Sequence, residues 1–376
     1  MKILYITSLS GNRINGFMRS AIIAAKQAGY EFDMACNTND SNKEQYKQDC
    51  EEYGIRLHHI DFQRNPLHLK NYIAYKQLLK VMNSDNYDAV HCNTPVGGVL
   101  GRICAKKCGI KKIIYQAHGF HFWKGAPLKN WILYYPVEKC LSCSTDVLIT
   151  INKEDYELAN KKMYAKRVEY IPGVGIAYHR FADIKIDRKA KRCELGVPED
   201  SILLLSVGEL NENKNHAAAL RALGEQRNPN IYYIIAGKGP LYEKLSKMTA
   251  RYSIKNRVHL LGYRTDIEEI YKAADVFVFP SRREGLPGAV MEAMAAGLPI
   301  VAAKIRGVTD LLTDTDNPMV ENSNDVEGYK KAFDLMASSS ELRKIVGEAN
   351  KQKAKEYDLL RIVEQMKTIY SELRNS

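Results

Sequence analysis

At 376 residues, with 45% hydrophobic residues and a mean hydropathy of −0.35, the chain is long enough for two or three domains and reads as soluble and globular. No run approaches the ~18 apolar residues of a spanning helix, and the opening Met-Lys-Ile-Leu-Tyr-Ile-Thr-Ser is too short in apolar length for a signal peptide. The net charge of +11 is uneven, with 24 Lys+Arg against 16 Asp+Glu in residues 1–175, which fits either general solubility or an acidic partner such as an anionic membrane surface or phosphate groups; the absence of any nucleic-acid motif argues against nucleic acid.

Strand and helix signals alternate along the chain. Ile3-Leu-Tyr-Ile-Thr7 is a short apolar run, followed by a loop from Ser8 to Gly16. Met18, Ala21, Ile22 and Ala25 then mark one helical face, closed by Gly29. Phe32-Asp-Met-Ala-Cys36, a helical pattern through Leu69, Tyr72, Ile73 and Leu79, and Asp88-Ala-Val-His-Cys92 come next. Lys112-Ile-Ile-Tyr-Gln-Ala117 and Asp146-Val-Leu-Ile-Thr-Ile151 extend the series, as expected of βαβ units on a parallel sheet.

The rhythm breaks over residues 171–181, where Pro172, Gly173 and Gly175 suggest a linker. A second series follows, with strands expected at 201–207, 232–236, 258–261, 275–279 and 299–303. From about 325 only helices are expected. The last, around 359–376, carries Leu359, Ile362, Val363, Met366, Ile369, Tyr370 and Leu373 on one face that must dock. The expectation is two Rossmann-like domains, 1–175 and 182–357, facing a cleft, with the last helix returning to the first domain.

Eight cysteines include the pairs Cys140/Cys143 and Cys104/Cys108, whose separation does not suit a zinc ribbon; buried, reduced thiols are the expectation. Gly237-Lys-Gly239-Pro240 follows a strand, but Pro240 and Tyr242 spoil a dinucleotide fingerprint. Gly11 to Gly16 lacks the ending of a P-loop, and Gly97-Gly-Val-Leu-Gly101 fits close helix packing. Asp314-Thr-Asp316 sits in a polar turn rather than after a strand, and no metal site is expected.

Two segments are sharper. In Val207-Gly-Glu-Leu-Asn-Glu-Asn-Lys-Asn215 a buried strand ends in Gly, and a polar loop presents Lys214 just before a helix, where it could neutralise a phosphate. In Glu284-Gly-Leu-Pro-Gly-Ala-Val-Met-Glu292 a turn opens a helix whose first N–H groups form an anion site. Glu292 lies in an otherwise apolar run, so its charge needs a partner.

Taken in order, Gly208-Glu-Leu, Lys214-Asn215, Ala236-Gly-Lys-Gly-Pro240, Leu261-Gly-Tyr-Arg264, Ala274-Asp-Val-Phe-Val-Phe-Pro-Ser281 and the Glu284 to Glu292 segment resemble the nucleotide-sugar domain of family-four retaining glycosyltransferases, which have the GT-B fold. Ala117-His-Gly-Phe-His-Phe-Trp-Lys-Gly125 is similar to capsule and exopolysaccharide members from bacteria. The resemblance implies that Glu284 grips the donor sugar, Glu292 the ribose, and Lys214 the diphosphate. It also implies that N–H groups near Gly288, Ala289 and Val290 hold the diphosphate, that Gly285, Leu286 and Pro287 belong to the donor site, that Gly262, Tyr263 and Arg264 flank uracil, and that His118 touches the sugar or the reacting centre. His121 has no such counterpart role. No cofactor or metal is implied; the resemblance implies a UDP-sugar donor, with N-acetylhexosamine preferred, a polyprenyl-pyrophosphate-linked saccharide acceptor and transfer with retention. The expected place is the inner face of the plasma membrane, where Lys106, Lys107, Lys111 and Lys112 could meet anionic lipid and the acceptor's pyrophosphate.

One departure stands out: Glu209 occupies a position where the family usually has Arg. Arg264, Arg282 or Arg283 could supply the missing cation, and Glu209 could orient Lys214 or a neighbouring Asn. A UDP-sugar epimerase of the same fold and a non-catalytic nucleotide-sugar-binding subunit are the rival readings.

Overall fold

The computed structural model describes residues 1–8, 14, 16–39 and 42–375; most of the expected Ser8–Gly16 loop, including Gly11, lies outside them. Among the described residues thirteen strands form two all-parallel sheets, with the buried apolar runs at their centres. The first holds β1 (Lys2–Ile6), β2 (Glu31–Cys36), β3 (Arg56–His59), β4 (Ala89–Asn93), β5 (Lys112–Ala117), β6 (Val147–Thr150) and β7 (Arg167–Tyr170), in the order β3-β2-β1-β4-β5-β6-β7. The second holds β8 (Ile202–Val207), β9 (Ile231–Ala236), β10 (Val258–Gly262), β11 (Val276–Phe279), β12 (Ile300–Ala303) and β13 (Met319–Val320), in the order β10-β9-β8-β11-β12-β13. Strands buried on both faces read as continuous apolar runs because crossover helices cover each side. Three strands were not legible as such. β3 and β7 are polar edge strands, where charge blunts an exposed ladder, and β13 has only two residues.

The chain divides into two compact units, Met1–Gly175 with Leu359–Ser376, and Ile176–Asp358. In the first, the helix Leu359–Asn375 packs on Gly16–Gln27 and buries Ile362, Val363, Met366, Ile369, Tyr370 and Leu373 among Ile3, Tyr5 and Ile22. Each of these side chains contributes about 1.5–3 kcal/mol through burial. The Tyr370 hydroxyl lies 2.7 Å from His91 Nδ1, which ties this helix to the middle of the sheet.

Several glycines mark close approaches rather than ligand loops. A Cβ on Gly98 would lie 2.4 Å from the Tyr115 ring, and one on Gly101 would lie 2.5 Å from Cys92 Sγ, so the helix Pro95–Lys107 rests directly on the sheet. Gly237 has φ 158°, and a Cβ there would stand 1.9 Å from the Gly208 carbonyl oxygen. All eight cysteines are free; Cys104 is buried and Cys108 half-buried, but Cys140 and Cys143 are exposed, contrary to the expectation of buried thiols. Among the described residues no group of three or more His, Cys, Asp or Glu could hold a metal ion, and no helix is long and apolar enough to cross a membrane.

Tyr370→Phe removes the hydroxyl partner of a buried imidazole and should cost about 1–3 kcal/mol. Denaturant unfolding should show a lower midpoint for this variant and an unchanged one for the exposed control Glu364→Gln.

Candidate functional site

In a parallel sheet, ligands bind beyond the carboxyl ends of the strands where strand order reverses. In the second sheet that point lies between β8 and β11. The loop after β8 carries Lys214 and the loop after β11 carries Glu284, and the two meet there. Lys214 Nζ lies 2.8 Å from Glu284 Oε1 and 4.8 Å from the centre of the Phe279 ring. Both side chains retain only a fifth or so of their exposure, 21% and 17%. The loops are tied by their backbones as well: Arg282 N–H donates to Asn213 O (2.8 Å), and Asn213 Nδ2 donates to Arg283 O (2.9 Å).

Glu209 has a structural task at this site. Its Oε2 accepts from Asn211 Nδ2 at 2.9 Å, and Asn211 Oδ1 in turn accepts from the Lys214 N–H at 2.9 Å. The carboxylate therefore braces the loop that aims Lys214. Asn215 follows in the left-handed region, φ 52°, which Asn tolerates, and opens the helix His216–Gly224. Of the cations weighed against Glu209, Arg264 is already committed to Asp266 (2.7 and 2.6 Å) and Glu194 (2.6 Å). Arg282 instead reaches the Lys214 loop, with Nη2 3.4 Å from Asn215 Oδ1.

The turn Gly285-Leu-Pro287 leads into the helix Gly288–Ala295, with Pro287 at its N-cap. The N–H groups of Gly288 and Ala289 point out of the first turn, where helices lack internal acceptors. Val290 N–H, by contrast, is bonded to Pro287 O at 3.2 Å. A Cβ added at Gly288 would meet nothing within 4 Å, so open space adjoins this end of the helix. One turn on, Glu292 Oε2 accepts from Tyr271 Oη–H at 3.1 Å. Burial pushes its carboxyl up to about 7, against the pull of the Tyr271 hydrogen bond and the positive charge of Arg180. At the end of β10, Gly262 has φ 69° with open space beside it, and Tyr263 is 71% exposed.

His118 belongs to the first unit, one residue past β5. Its Nε2 lies 3.0 Å from Asn93 Oδ1. Asn93 Nδ2 is directed to His91 O at 3.3 Å, so Oδ1 is the end facing the ring and Nε2 is the protonated nitrogen. Burial lowers the His118 pKa to about 4, so the ring is neutral near pH 7. Thr94, beside Asn93, sits at φ 64°, which is rare for a β-branched residue. The neighbouring Asn that Glu209 is expected to orient is Asn211; Asn93 and Tyr271 are not marked out by the sequence. Only Asn93 carried a signal, as a polar residue ending a buried parallel strand. The Asp314-Thr-Asp316 turn follows the helix Val308–Leu312, and Asp314 pairs with Lys353 at 3.1 Å.

Asn93→Asp should raise the His118 titration midpoint from about 4 towards the ordinary value, because a carboxylate then faces the ring. Asn93→Leu should mix the two neutral tautomers. Ring-nitrogen NMR reads both effects, and unchanged spectra would show that Asn93 does not set the ring.

Comparison with known proteins agrees with this architecture. Residues 2–152 match the glycosyl transferase 4-like family and residues 187–353 match glycosyl transferases group 1. EpsD of Bacillus subtilis strain 168, named as a glycosyltransferase, is 36% identical over 92% of this chain and 90% of its own length. The Escherichia coli UDP-Gal:alpha-D-GlcNAc-diphosphoundecaprenol alpha-1,3-galactosyltransferase is 28% identical over 82% of each chain. The fold matches Anabaena HepE, solved in complex with UDP, with a TM-score of 0.79 at 19% identity over 99% of this chain and 100% of that one. With its two all-parallel sheets and its site at the β8/β11 switch point, the chain belongs to the family-four-type glycosyltransferases of the GT-B fold.

Proposed function

We propose that the protein transfers a sugar, preferably an N-acetylhexosamine, from a UDP-sugar to a polyprenyl-pyrophosphate-linked saccharide at a membrane surface, with retention of configuration. The observation that carries this reading is the Lys214–Glu284 pair, 2.8 Å apart at the β8/β11 switch point, with Glu284 on the loop that leads into the helix Gly288–Ala295. The E. coli relative, which by its name uses UDP-Gal and a diphosphoundecaprenol-linked acceptor, supports the substrate class.

In this reading the phosphates of the donor meet the Gly288 and Ala289 N–H groups and the Lys214 ammonium. As the anomeric C–O bond to phosphate breaks, negative charge grows on the leaving oxygen, and these groups stabilise it without rearranging. Glu284 accepts from sugar hydroxyls and holds Lys214 in place. The acceptor oxygen bonds to the anomeric carbon on the face the phosphate leaves, and its proton passes to the departing phosphate oxygen. Glu292 accepts from the ribose hydroxyls. Arg282, on the Glu284 loop and reaching Asn215 at the end of the Lys214 loop, supplies the second cation that Glu209 does not. His118, neutral and protonated on Nε2, contacts the transferred sugar. Lysine and helix N-terminus carry the charge stabilisation, so no metal is required.

The direct test incubates the enzyme with a panel of UDP-sugars and extracted lipid-linked acceptor, followed by mass spectrometry of the product. Addition of one sugar with the anomeric configuration of the donor is expected, and its rate should survive a chelator. Conversion of UDP-sugar without acceptor would instead identify an epimerase, and no turnover across the panel a binding subunit. Lys214→Ala should lower kcat/KM by about 10²–10³, the usual cost of losing a charge stabiliser. Glu209→Ala should cost only several-fold, because it acts through Asn211.

Glu292 also predicts a pH dependence. Its carboxyl titrates near 7 in the fold against 4.5 ordinarily, so between these values the unliganded protein holds a proton that the unfolded chain has lost. Stability from this group therefore falls as pH rises through that window. Ribose hydroxyls donate to the ionised form, so UDP affinity should rise with pH up to about 7, with proton release on binding. Calorimetry at several pH values, compared with Glu292→Gln, isolates this effect from titration of the UDP phosphate. Identical profiles for the two proteins would refute it.

A further inference from the structure

The helix Asn71–Ser84 turns an unusual face inward. Its buried positions are Asn71, Ala74, Leu78 and Met82, whereas Tyr72 and Ile73 look out and Leu69, just before it, is 90% exposed. The apolar stripe of a helix ordinarily faces the core; most of the stripe seen in the sequence here faces away from it. The neighbouring helix Leu128–Leu133 has no buried residue, with Leu128 73% and Ile132 68% exposed. The two helices flank one apolar groove, with Leu67 on one side, Leu133 and Val137 on the other, and Val99 and Leu100 of the helix Pro95–Lys107 between.

The charge around this face has one sign. Residues 62–84 contain four Lys+Arg and no acid; in residues 94–145, setting aside the run Lys106 to Lys112 and the buried Arg102, the charges are Lys124, Lys129 and Lys139 against a single acid, Glu138. Glu138 is buried and bonded to the buried Arg102 at 2.7 Å. The flanking Asp61 and Asp85 are engaged by Gln77 and by Lys2 and Arg56. Lys70, Lys76, Lys80 and Lys129 are exposed beside the apolar side chains.

We propose that this face of the first unit docks on an anionic phospholipid bilayer. Leu67, Leu69, Leu128 and Ile132 enter the boundary between headgroups and acyl chains, and the lysines meet the headgroups. An apolar patch this exposed needs a cover. A second copy of the chain is a poor one, because a two-fold contact sets each patch against itself and lysine against lysine. The surface differs from the run Lys106, Lys107, Lys111 and Lys112. Lys112 Nζ is spent on the carbonyls of Leu373 and Arg374, and Lys107 Nζ is 3.1 Å from the Tyr75 hydroxyl. The groove is also lined by Pro95, two residues beyond the Asn93 that holds His118. Docking therefore brings the lipid surface to the end of the sheet that carries His118. For its biological sense the inference rests on the lipid-linked acceptor reading.

The test is co-sedimentation of the full chain with phosphatidylcholine vesicles, with and without about one-third phosphatidylglycerol. Binding to the anionic vesicles that weakens with salt is expected. Leu69→Ser with Ile132→Ser should lower the partition coefficient about tenfold or more. Lys70→Gln and Lys129→Gln should each lower it about fivefold, on anionic vesicles only. Circular dichroism and UDP binding should match the parent, since none of these residues belongs to the donor site. Failure of the parent chain to sediment with anionic vesicles, or equal partition of all variants, would overturn the proposal. So would a concentration-dependent dimer that Ile132→Ser abolishes without any vesicle binding. Transfer to a short, water-soluble acceptor separates the two readings: turnover without vesicle binding removes the docking face alone, and vesicle binding without turnover removes the transferase reading alone.

Discussion

Parallel pairing of every strand is the constraint on which the rest of this molecule depends. A parallel strand cannot return through a tight turn, so each connection crosses over as a helix or a long loop. All carboxyl ends in a sheet then lie along one edge, and a reversal of strand order opens a gap in that edge. Lys214 and Glu284 are seventy residues apart in sequence, yet they are 2.8 Å apart because β8 and β11 are neighbours across such a reversal. The glycines serve the same geometry. Gly237 and Gly208 let two loops approach to a distance no side chain would allow, which keeps the edge compact around the pair.

Within that frame the site is electrostatically prepared. The Glu284 carboxylate, four residues ahead of a helix with open space at its first residue, pairs with Lys214. Glu209 is the instructive residue. As a replacement for an arginine it looks damaging, because a carboxylate cannot hold phosphate. Its hydrogen bond to Asn211, and that of Asn211 to the Lys214 backbone, turn it into a support for the remaining cation. Arg264 cannot serve as the substitute, since two carboxylates already hold it.

The two sheets also divide their burdens differently. The second unit gathers Lys214, Glu284 and Asn211 at the β8/β11 switch point. The first keeps an apolar, lysine-rimmed face on its helices and places His118 at the adjacent edge of the sheet. His118 gains its tautomer from Asn93, while burial keeps it neutral. Under the proposed transfer to a lipid-linked saccharide, one of these features would meet the lipid and the other the sugar.

The sequence by itself determined the parallel α/β architecture, the central strands, the last helix and its buried face, and the two loops that carry Lys214 and Glu284. These are legible because burial on both faces writes continuous apolar runs and because loops at strand ends carry Gly, Pro and polar residues in fixed order. It did not show β3 and β7, whose edge positions favour charge over hydrophobicity. Nor did it show which way the stripe of Leu69, Tyr72 and Ile73 points, since periodicity defines a helical face but not its partner. Tertiary structure alone decided the partners of polar groups: Tyr271 beneath Glu292, Asn93 beside His118, Asn211 between Glu209 and Lys214. Such pairs join residues brought together by crossovers, or turn on side-chain direction within a loop, and hydrogen bonds between them leave no period in the chain.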